Sequence, residues 1–193
     1  PVLRHVANLP EAELAEALRM LVGAEFAYEA SIYPDLSYAF KHALTQEVVY
    51  NSQLSDRRAR VHAAVAKAIT ELHADKLDER AALLAHHWEK AGDHVQASLC
   101  HARAAEWAGV RDPAEALRHW REVITLLEGV PESAETIGLG LMARLRFLGM
   151  AWRQGVTEDE AGRIFAEGNA LAERTGNPYL SALLKFSGIG FQA

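Results

Sequence analysis

Cysteine is nearly absent from this chain, which has one cysteine among 193 residues. A single thiol cannot form a disulfide within the chain, so a disulfide-stapled fold is excluded. A cysteine-based zinc finger is excluded for the same reason. Long apolar runs are absent too, because charged residues interrupt each run before it reaches the length of a membrane span. These absences predict a cytoplasmic protein that has no contact with a membrane.

Positive charge is in deficit, with 20 Lys and Arg against 26 Asp and Glu and a formal charge of −6. Both the first third of the chain and the remainder are acidic, which disfavours a nucleic-acid partner. The one basic cluster is interpreted as a solvated face, or as ion pairs to Asp56 or Glu47. It contains Arg57, Arg58, Arg60 and Lys67.

Complete catalytic and metal-binding motifs are also missing. The Walker A loop, which binds the phosphates of ATP, does not occur. Several histidines crowd together, but their spacing matches no common zinc motif, so we predict no metal site and expect surface positions or hydrogen bonds between helices. They are His86, His87, His94 and His101. We therefore expect neither a cofactor nor enzymatic activity in this chain by itself.

Helical periodicity fills most of the sequence, and its boundaries are marked by capping and breaking residues. Helix starts are predicted at a Thr157–Glu160 capping box, at Asp112–Pro113, at Thr45, and at Ser55 or Asp56. Helix ends or breaks are predicted at Gly23, at Gly92–Asp93, between Gly129 and Pro131, and at Gly176–Asn177–Pro178.

One β-hairpin is predicted near the N-terminus. Residues 25–33 and 36–40 carry aromatic side chains at alternate positions, as half-buried strands do. The two segments flank Pro34–Asp35, a pair of residues that favours a turn.

An internal repeat is the strongest pattern in the chain. A small residue, a ring, a second small residue and a second ring recur at identical offsets in three copies. The first copy has Ala85, Trp88, Ala97, His101 and Ala104; the second has Ala104, Trp107, Ala116, Trp120 and Val123; the third has Gly149, Trp152, Ala161, Phe165 and Gly168. We expect the small residues to let two helices approach and the rings to pack between them. The pattern resembles the tetratricopeptide repeat of 34 residues, although the first two copies overlap at Ala104.

The segment before the repeats carries a second resemblance. It reads Tyr38-Ala39-Phe40-Lys41-His42-Ala43-Leu44-Thr45-Gln46-Glu47-Val48-Val49-Tyr50, followed by Leu54, Arg57–Arg58, His62 and Ala66. This resembles the block that follows the ATPase core in bacterial signal-transduction ATPases with numerous domains. In particular, it is similar to regulators that join an adenylate/guanylate cyclase or LuxR-type domain to an ATPase and tetratricopeptide repeats. Residues 79–110 are similar to the first repeat of those proteins.

The resemblance implies a mainly α fold, in which a partial winged helix with a small β-hairpin leads into a tetratricopeptide-like α-helical superhelix. The implied divisions are residues 1–54 for the C-terminal part of the winged helix, 55–78 for a linking helix and 79–193 for repeats truncated at the C-terminus. The absence of an initial Met, and the apolar residues 183–191, indicate a fragment of a longer protein.

The resemblance also implies a role for His42. In related ATPases a winged-helix histidine, followed by Asp, contacts the phosphate of ADP and holds the closed state; here Ala43 stands in place of that Asp. The alternative from the residues alone is a partly buried structural histidine. ATP and ADP are expected only in the parent protein.

The function implied is a non-catalytic regulatory and protein-interaction segment. It would couple a protein or peptide bound on the repeats to the ATPase domain of the same polypeptide and to its cyclase or transcription output. The first alternative is a free-standing helical-repeat scaffold that binds a protein or peptide, and the second is a winged-helix DNA-binding regulator. Self-association stays open.

Overall fold

The computed structural model describes residues 1–31, 36–175 and 182–183. This part of the chain is mainly α-helical with one small β-hairpin, which confirms the predicted fold class. In order, its elements are α1 Val2–Ala7, α2 Glu11–Gly23, β1 Ala27–Ser31, β2 Ser37–Phe40, α3 Ala43–Asn51, α4 Ser55–Leu72, a 3₁₀ turn Ala74–Lys76, α5 Ala81–Ala91, α6 His94–Ala108, α7 Pro113–Leu127, α8 Ala134–Ala151 and α9 Glu158–Thr175.

The predicted hairpin is present as an antiparallel pair of strands. Ala27 lies opposite Phe40 and Glu29 lies opposite Tyr38, with an irregularity in register after Glu29. The pairing follows from the alternating aromatic pattern of the two segments. The turn predicted at Pro34–Asp35 lies outside the described residues.

Two compact units make up the described chain. The first contains residues 1–75 together with 90–92, and the second contains the remainder. Helix α4, which was expected to link two domains, belongs to the first unit. Among the described residues, no helix is both long and apolar enough to cross a membrane.

The second unit has a continuous core built from α6, α7, α8 and α9. Trp120 and Phe147 are its largest buried side chains, each almost completely removed from solvent. The other members of this core are Ala102, Ala105, Leu117, Val123, Ile124, Leu139, Leu141, Ala143, Leu148, Ala151, Ala161, Ile164, Leu171 and Ala172. Burial of this apolar surface is the main force that holds the four helices together.

The helix starts predicted at Asp112 and Thr157 are confirmed by capping hydrogen bonds, in which the side-chain oxygen accepts from the backbone N–H three residues on, at 3.0 Å and 3.3 Å. Asp93, which was predicted only as part of a break, caps α6 in the same way at 3.0 Å. The breaks at Gly92–Asp93 and between Gly129 and Pro131 are confirmed as well. A further capping box, Ser133 with Thr136, was not predicted. The break at Gly176–Asn177–Pro178 lies outside the described residues.

The helix starts predicted at Thr45 and at Ser55 or Asp56 are wrong by one to three residues. Helix α3 begins at Ala43, so Thr45 lies in its first turn instead of capping it. The cap position of α4 is Leu54, which places Ser55 and Asp56 inside the helix. Helix α3 follows β2 after only Lys41 and His42, so the end of the hairpin sets its start, and no side-chain cap is used.

Candidate functional site

Apolar side chains are exposed along α3 and just after it. Leu44, Val48 and Leu54 keep 70%, 60% and 79% of their surface accessible, and Val49 is also exposed. Leu44 and Val48 are four residues apart, so they lie on one face of the helix. We call these four residues the α3 surface. Exposed apolar surface of this kind marks an interaction site in many soluble proteins.

The rest of the first unit also has few buried side chains. Within its described residues, the buried side chains are confined to Ala66, Ala68 and Ile69 of α4. Exposed apolar side chains elsewhere in the unit are Leu3, Leu9, Met20, Leu21, Phe26, Tyr28, Leu36, Phe40, Tyr50, Val61 and Leu72. The unit therefore holds together with a far smaller buried core than the second unit has.

Polar and ring contacts join α3 to α4 in the first unit. The Tyr50 hydroxyl lies 3.1 Å from Nε2 of His62, which joins α3 to α4. The Arg58 guanidinium lies 4.9 Å from the centre of the Tyr50 ring and donates to Oδ1 of Asn51 at 3.1 Å. Arg58 thus takes different partners from the Asp56 or Glu47 carboxylates that the sequence suggested.

His42 lies at the junction between the hairpin and α3, in extended backbone. It is exposed, not partly buried as a structural histidine would be. Its neighbour Lys41 forms a 2.8 Å ion pair with Glu25. The Lys41 hydrogen bond and charge hold the pKa of the Glu25 carboxyl below its usual value. An exposed imidazole beside this ion pair is accessible to a ligand from outside the chain.

The repeat positions divide into buried and exposed groups. Ala85, Ala97, Ala104, Ala116, Trp120 and Ala161 are buried, Trp88 and Phe165 are partly buried, and Trp107, Gly149 and Trp152 are exposed.

Trp107 and Trp152 are less buried than the predicted packing role requires, since 46% and 54% of their surfaces remain accessible. Trp107 lies in the last turn of α6 and Trp152 directly after α8, and each ring is stacked with an arginine. The guanidinium of Arg111 lies 4.8 Å from the Trp107 ring centre, and that of Arg153 lies 4.5 Å from that of Trp152. Gly149 likewise lies on the exposed side of α8.

A row of polar side chains crosses α5, α6 and α7. His101 Nδ1 lies 2.7 Å from His119 Nδ1, and the two side chains are 5% and 3% exposed. At the outer ends of the row, His101 Nε2 lies 2.7 Å from Glu89 Oε1 and His119 Nε2 lies 3.1 Å from Glu115 Oε1. Glu115 also pairs with Arg118. We call His101 and His119 the histidine pair.

The hydrogen positions in this row are constrained by geometry. Carboxylate oxygens only accept, so Nε2 of each histidine must carry a hydrogen for its contact with Glu89 or Glu115 to be a hydrogen bond. Between the two Nδ1 atoms, a separation of 2.7 Å accommodates one hydrogen and not two. His119 Nε2 has a second neighbour, the Arg118 guanidinium at 3.4 Å.

Burial and neighbouring positive charge oppose a charge on His119. Its pKa is lowered to about 4, first by burial, then by His101 and Arg118, against a smaller opposing effect of Glu115. The pKa of Glu115 is itself lowered, chiefly by the hydrogen bond from Arg118. Glu115 therefore remains a carboxylate well into the acid range.

The sequence predicted only one half of this pair. The expectation of hydrogen bonding between helices is met by His101, which occupies the second ring position of the first repeat copy. His119 was not singled out, because it is 18 residues away and precedes Trp120 without a motif of its own. The signal that could have pointed to His119 was His101 itself. A histidine at a ring position that is expected to be buried needs a polar partner on a neighbouring helix.

Little in the described ranges suggests covalent or metal chemistry. No group of three or more His, Cys, Asp or Glu side chains in this part of the chain could hold a metal ion. Burial raises the pKa of the Cys100 thiol to about 11, so the thiol stays protonated at neutral pH and is a poor nucleophile.

Comparison with known proteins gives no match: neither a family model, nor a curated protein, nor a solved structure matches this chain. The features of the chain that bear on function are the exposed apolar side chains of the first unit, together with the exposed indoles and the histidine pair of the second.

Proposed function

We propose that this chain is a non-catalytic regulatory and protein-interaction segment of a larger ATP-dependent signalling protein of the cytoplasm. Its first unit would be part of a winged helix that contacts the ATPase domain of the same polypeptide. Its second unit would be a tetratricopeptide-like array that receives a protein or peptide signal. ATP and ADP bind the ATPase domain, and no cofactor belongs to this chain.

The observation that carries the proposal is the contrast in packing between the two units. Among the described residues, the second unit encloses a core of 16 buried apolar residues, whereas the α3 surface and the hairpin rings Phe26, Tyr28 and Phe40 are exposed. Apolar area left open in this way is stabilised when another domain covers it. An ATPase domain in the same polypeptide is the occupant that the sequence resemblance implies.

His42 fits this arrangement through its position. It is exposed and directly precedes α3, so a domain that covered the α3 surface would also approach His42. An imidazole there can donate to a phosphate oxygen of bound ADP and lose that contact when the first unit moves away. The coupling free energy then depends on how strongly the α3 surface binds the ATPase domain.

The proposal is tested first on the gene and then on the longer protein. The reading frame upstream of Pro1 should encode a Walker A loop; a frame without one refutes the link to an ATPase. In the longer protein, Leu44→Glu with Val48→Glu should raise basal ATP hydrolysis, because charges on the α3 surface weaken the closed state. The matched control, Gln46→Glu, adds a charge at an exposed polar position of the same helix and should leave the rate unchanged.

The role of His42 has a separate test. His42→Ala should speed the release of a fluorescent ADP analogue from the longer protein, while His94→Ala, at an exposed histidine of α6, should not. Unchanged ADP release in His42→Ala removes the role of this residue and leaves the regulatory proposal standing on the α3 surface.

A second candidate function is supported by the exposed indoles. Trp107 and Trp152, each stacked with an arginine, are the residue types that dominate binding energy at protein interfaces. If the repeats bind peptides, phage display against the chain should yield peptides that bind it. Trp107→Ala and Trp152→Ala should each weaken the affinity for these peptides at least tenfold. Wild-type affinity in both variants would reject these rings as a binding surface.

A further inference from the structure

The histidine pair joins α6 to α7 inside the second unit and has no part in the proposed coupling. Its two Nδ1 atoms are 2.7 Å apart, and both side chains are nearly inaccessible to water. We propose that the pair is an acid-operated latch between α6 and α7. The latch is closed while one hydrogen lies between the two Nδ1 atoms, and it opens when both rings become imidazolium ions.

The geometry explains why the second charge must open the latch. An imidazolium ion carries hydrogens on both ring nitrogens, so two such rings would direct two N–H groups at each other across 2.7 Å. The hydrogens would overlap, and the two positive charges would repel each other with little screening by water. Water cannot enter to separate them, because the rings are buried. The rings can separate only if α6 and α7 move apart.

The surrounding charges allow one positive charge on the pair and oppose two. From α5, Glu89 contacts His101; from α7, Glu115 contacts His119. Arg118, also on α7, lies beside His119 and adds positive charge, and Glu89 and Glu122 in turn act on Arg118. Among these neighbours, two carboxylates touch the pair, and Glu115 is already paired with the Arg118 guanidinium.

The latch would make the α6–α7 contact sensitive to mildly acid conditions. Near neutral pH the pair does not hold both charges, because the pH is far above the lowered pKa of His119. As the pH falls from 6.5 toward 4, the open form binds an extra proton that the closed form does not bind, and this proton uptake stabilises the open form. The low pKa of His119 is consistent with this direction. Opening is therefore favoured by acid before the bulk of the carboxylates titrate.

The intact chain tests the proposal by nuclear magnetic resonance with ¹⁵N-labelled histidine, followed from pH 7 to pH 4.5. We expect one proton shared between the two Nδ1 nitrogens at pH 7. We also expect the second charge to appear together with weaker protection of the α6 and α7 amides. Their protection factors, which compare the observed exchange rate with the intrinsic rate at the same pH, should fall by an order of magnitude or more between pH 7 and pH 5. Independent titration of both rings near pH 6.5 with unchanged protection factors would overturn the latch.

Two variants separate the latch from a merely structural contact. His119→Gln keeps a polar group in the site but cannot take up the second charge, so the protection factors of its α6 and α7 amides should vary little between pH 7 and pH 5. The control His94→Gln removes an exposed histidine from α6, the helix that carries His101, and should retain the wild-type pH profile. A wild-type profile in folded His119→Gln refutes the proposal, and if that variant does not fold, the titration of the wild-type chain decides.

Discussion

Replacing Glu167 with glutamine would leave a buried arginine without its counter-charge. The Arg144 side chain is 9% exposed, and its Nη2 donates to Glu167 Oε2 at 3.1 Å. Its Nη1 donates to the Gly140 carbonyl at 3.2 Å, whereas its Nε is buried without a partner. Glutamine keeps the length of the side chain and an oxygen acceptor, so the change is mainly one of charge.

The size of the effect follows from burial. Removing one partner of a fully buried ion pair costs about 3–5 kcal/mol of unfolding free energy. Glu167 is 33% exposed, so part of its charge is screened by water. Discounting for this screening, we expect Glu167→Gln to lower the free energy of unfolding by about 2 kcal/mol. In a chain of this size that corresponds to about 4–8 °C in Tm.

A matched control is available in the same cluster. Arg163 donates to Oε1 of Glu167 at 2.8 Å, but its side chain is 57% exposed. Arg163→Gln should therefore cost at most about 0.5 kcal/mol. Both variants are compared with the wild type by thermal unfolding followed by circular dichroism at pH 7. If the two variants lose the same small amount of stability, burial of Arg144 does not determine the strength of this contact and the reasoning fails.

Three further predictions concern the second unit. Trp120→Ala should cost about 3–5 kcal/mol of stability and Trp152→Ala less than about 0.5 kcal/mol, because only Trp120 is buried; similar losses in urea unfolding would contradict the observed packing. Ser98→Ala should raise stability by about 1 kcal/mol, since the Ser98 hydroxyl is buried without a partner; a loss in the same assay would show that the hydroxyl is satisfied. The His119 pKa, lowered from 6.5 to about 4, favours folding fully above pH 6.5, and as the pH falls to 4 the chain should lose up to about 3 kcal/mol. His119→Gln should flatten that decline, and an unchanged decline would assign it to other groups.

Local signals predicted the ends of the helices where a side chain sets them. Asp93, Asp112 and Thr157 each cap the backbone N–H three residues ahead, and all the atoms involved lie within one turn. The prediction failed at Thr45, because the start of α3 is set by the end of β2 and not by a capping oxygen. Residue type alone does not show which of the two determinants operates.

Contacts between distant helices could not be predicted from the sequence. Arg144 and Glu167 are 23 residues apart, and Arg121 and Glu160, which pair at 2.8 Å, are 39 apart. Many acidic and basic residues have suitable spacing for such pairs. Which of them meet depends on the rotation of each helix about its axis, and packing of the apolar core fixes that rotation.

The histidine pair lies between these two cases. Among the second ring positions of the repeat copies, Trp120 and His101 are buried and Phe165 is partly buried, so this position is shielded from water whatever its residue. Two of the three first ring positions, Trp107 and Trp152, lie at helix ends and are exposed, whereas Trp88 lies within α5 and is partly buried. A histidine at this shielded position needs hydrogen-bond partners from the neighbouring helices. The repeat therefore creates the need for a partner to His101, whereas the packing of α7 decides that the partner is His119, another titratable ring.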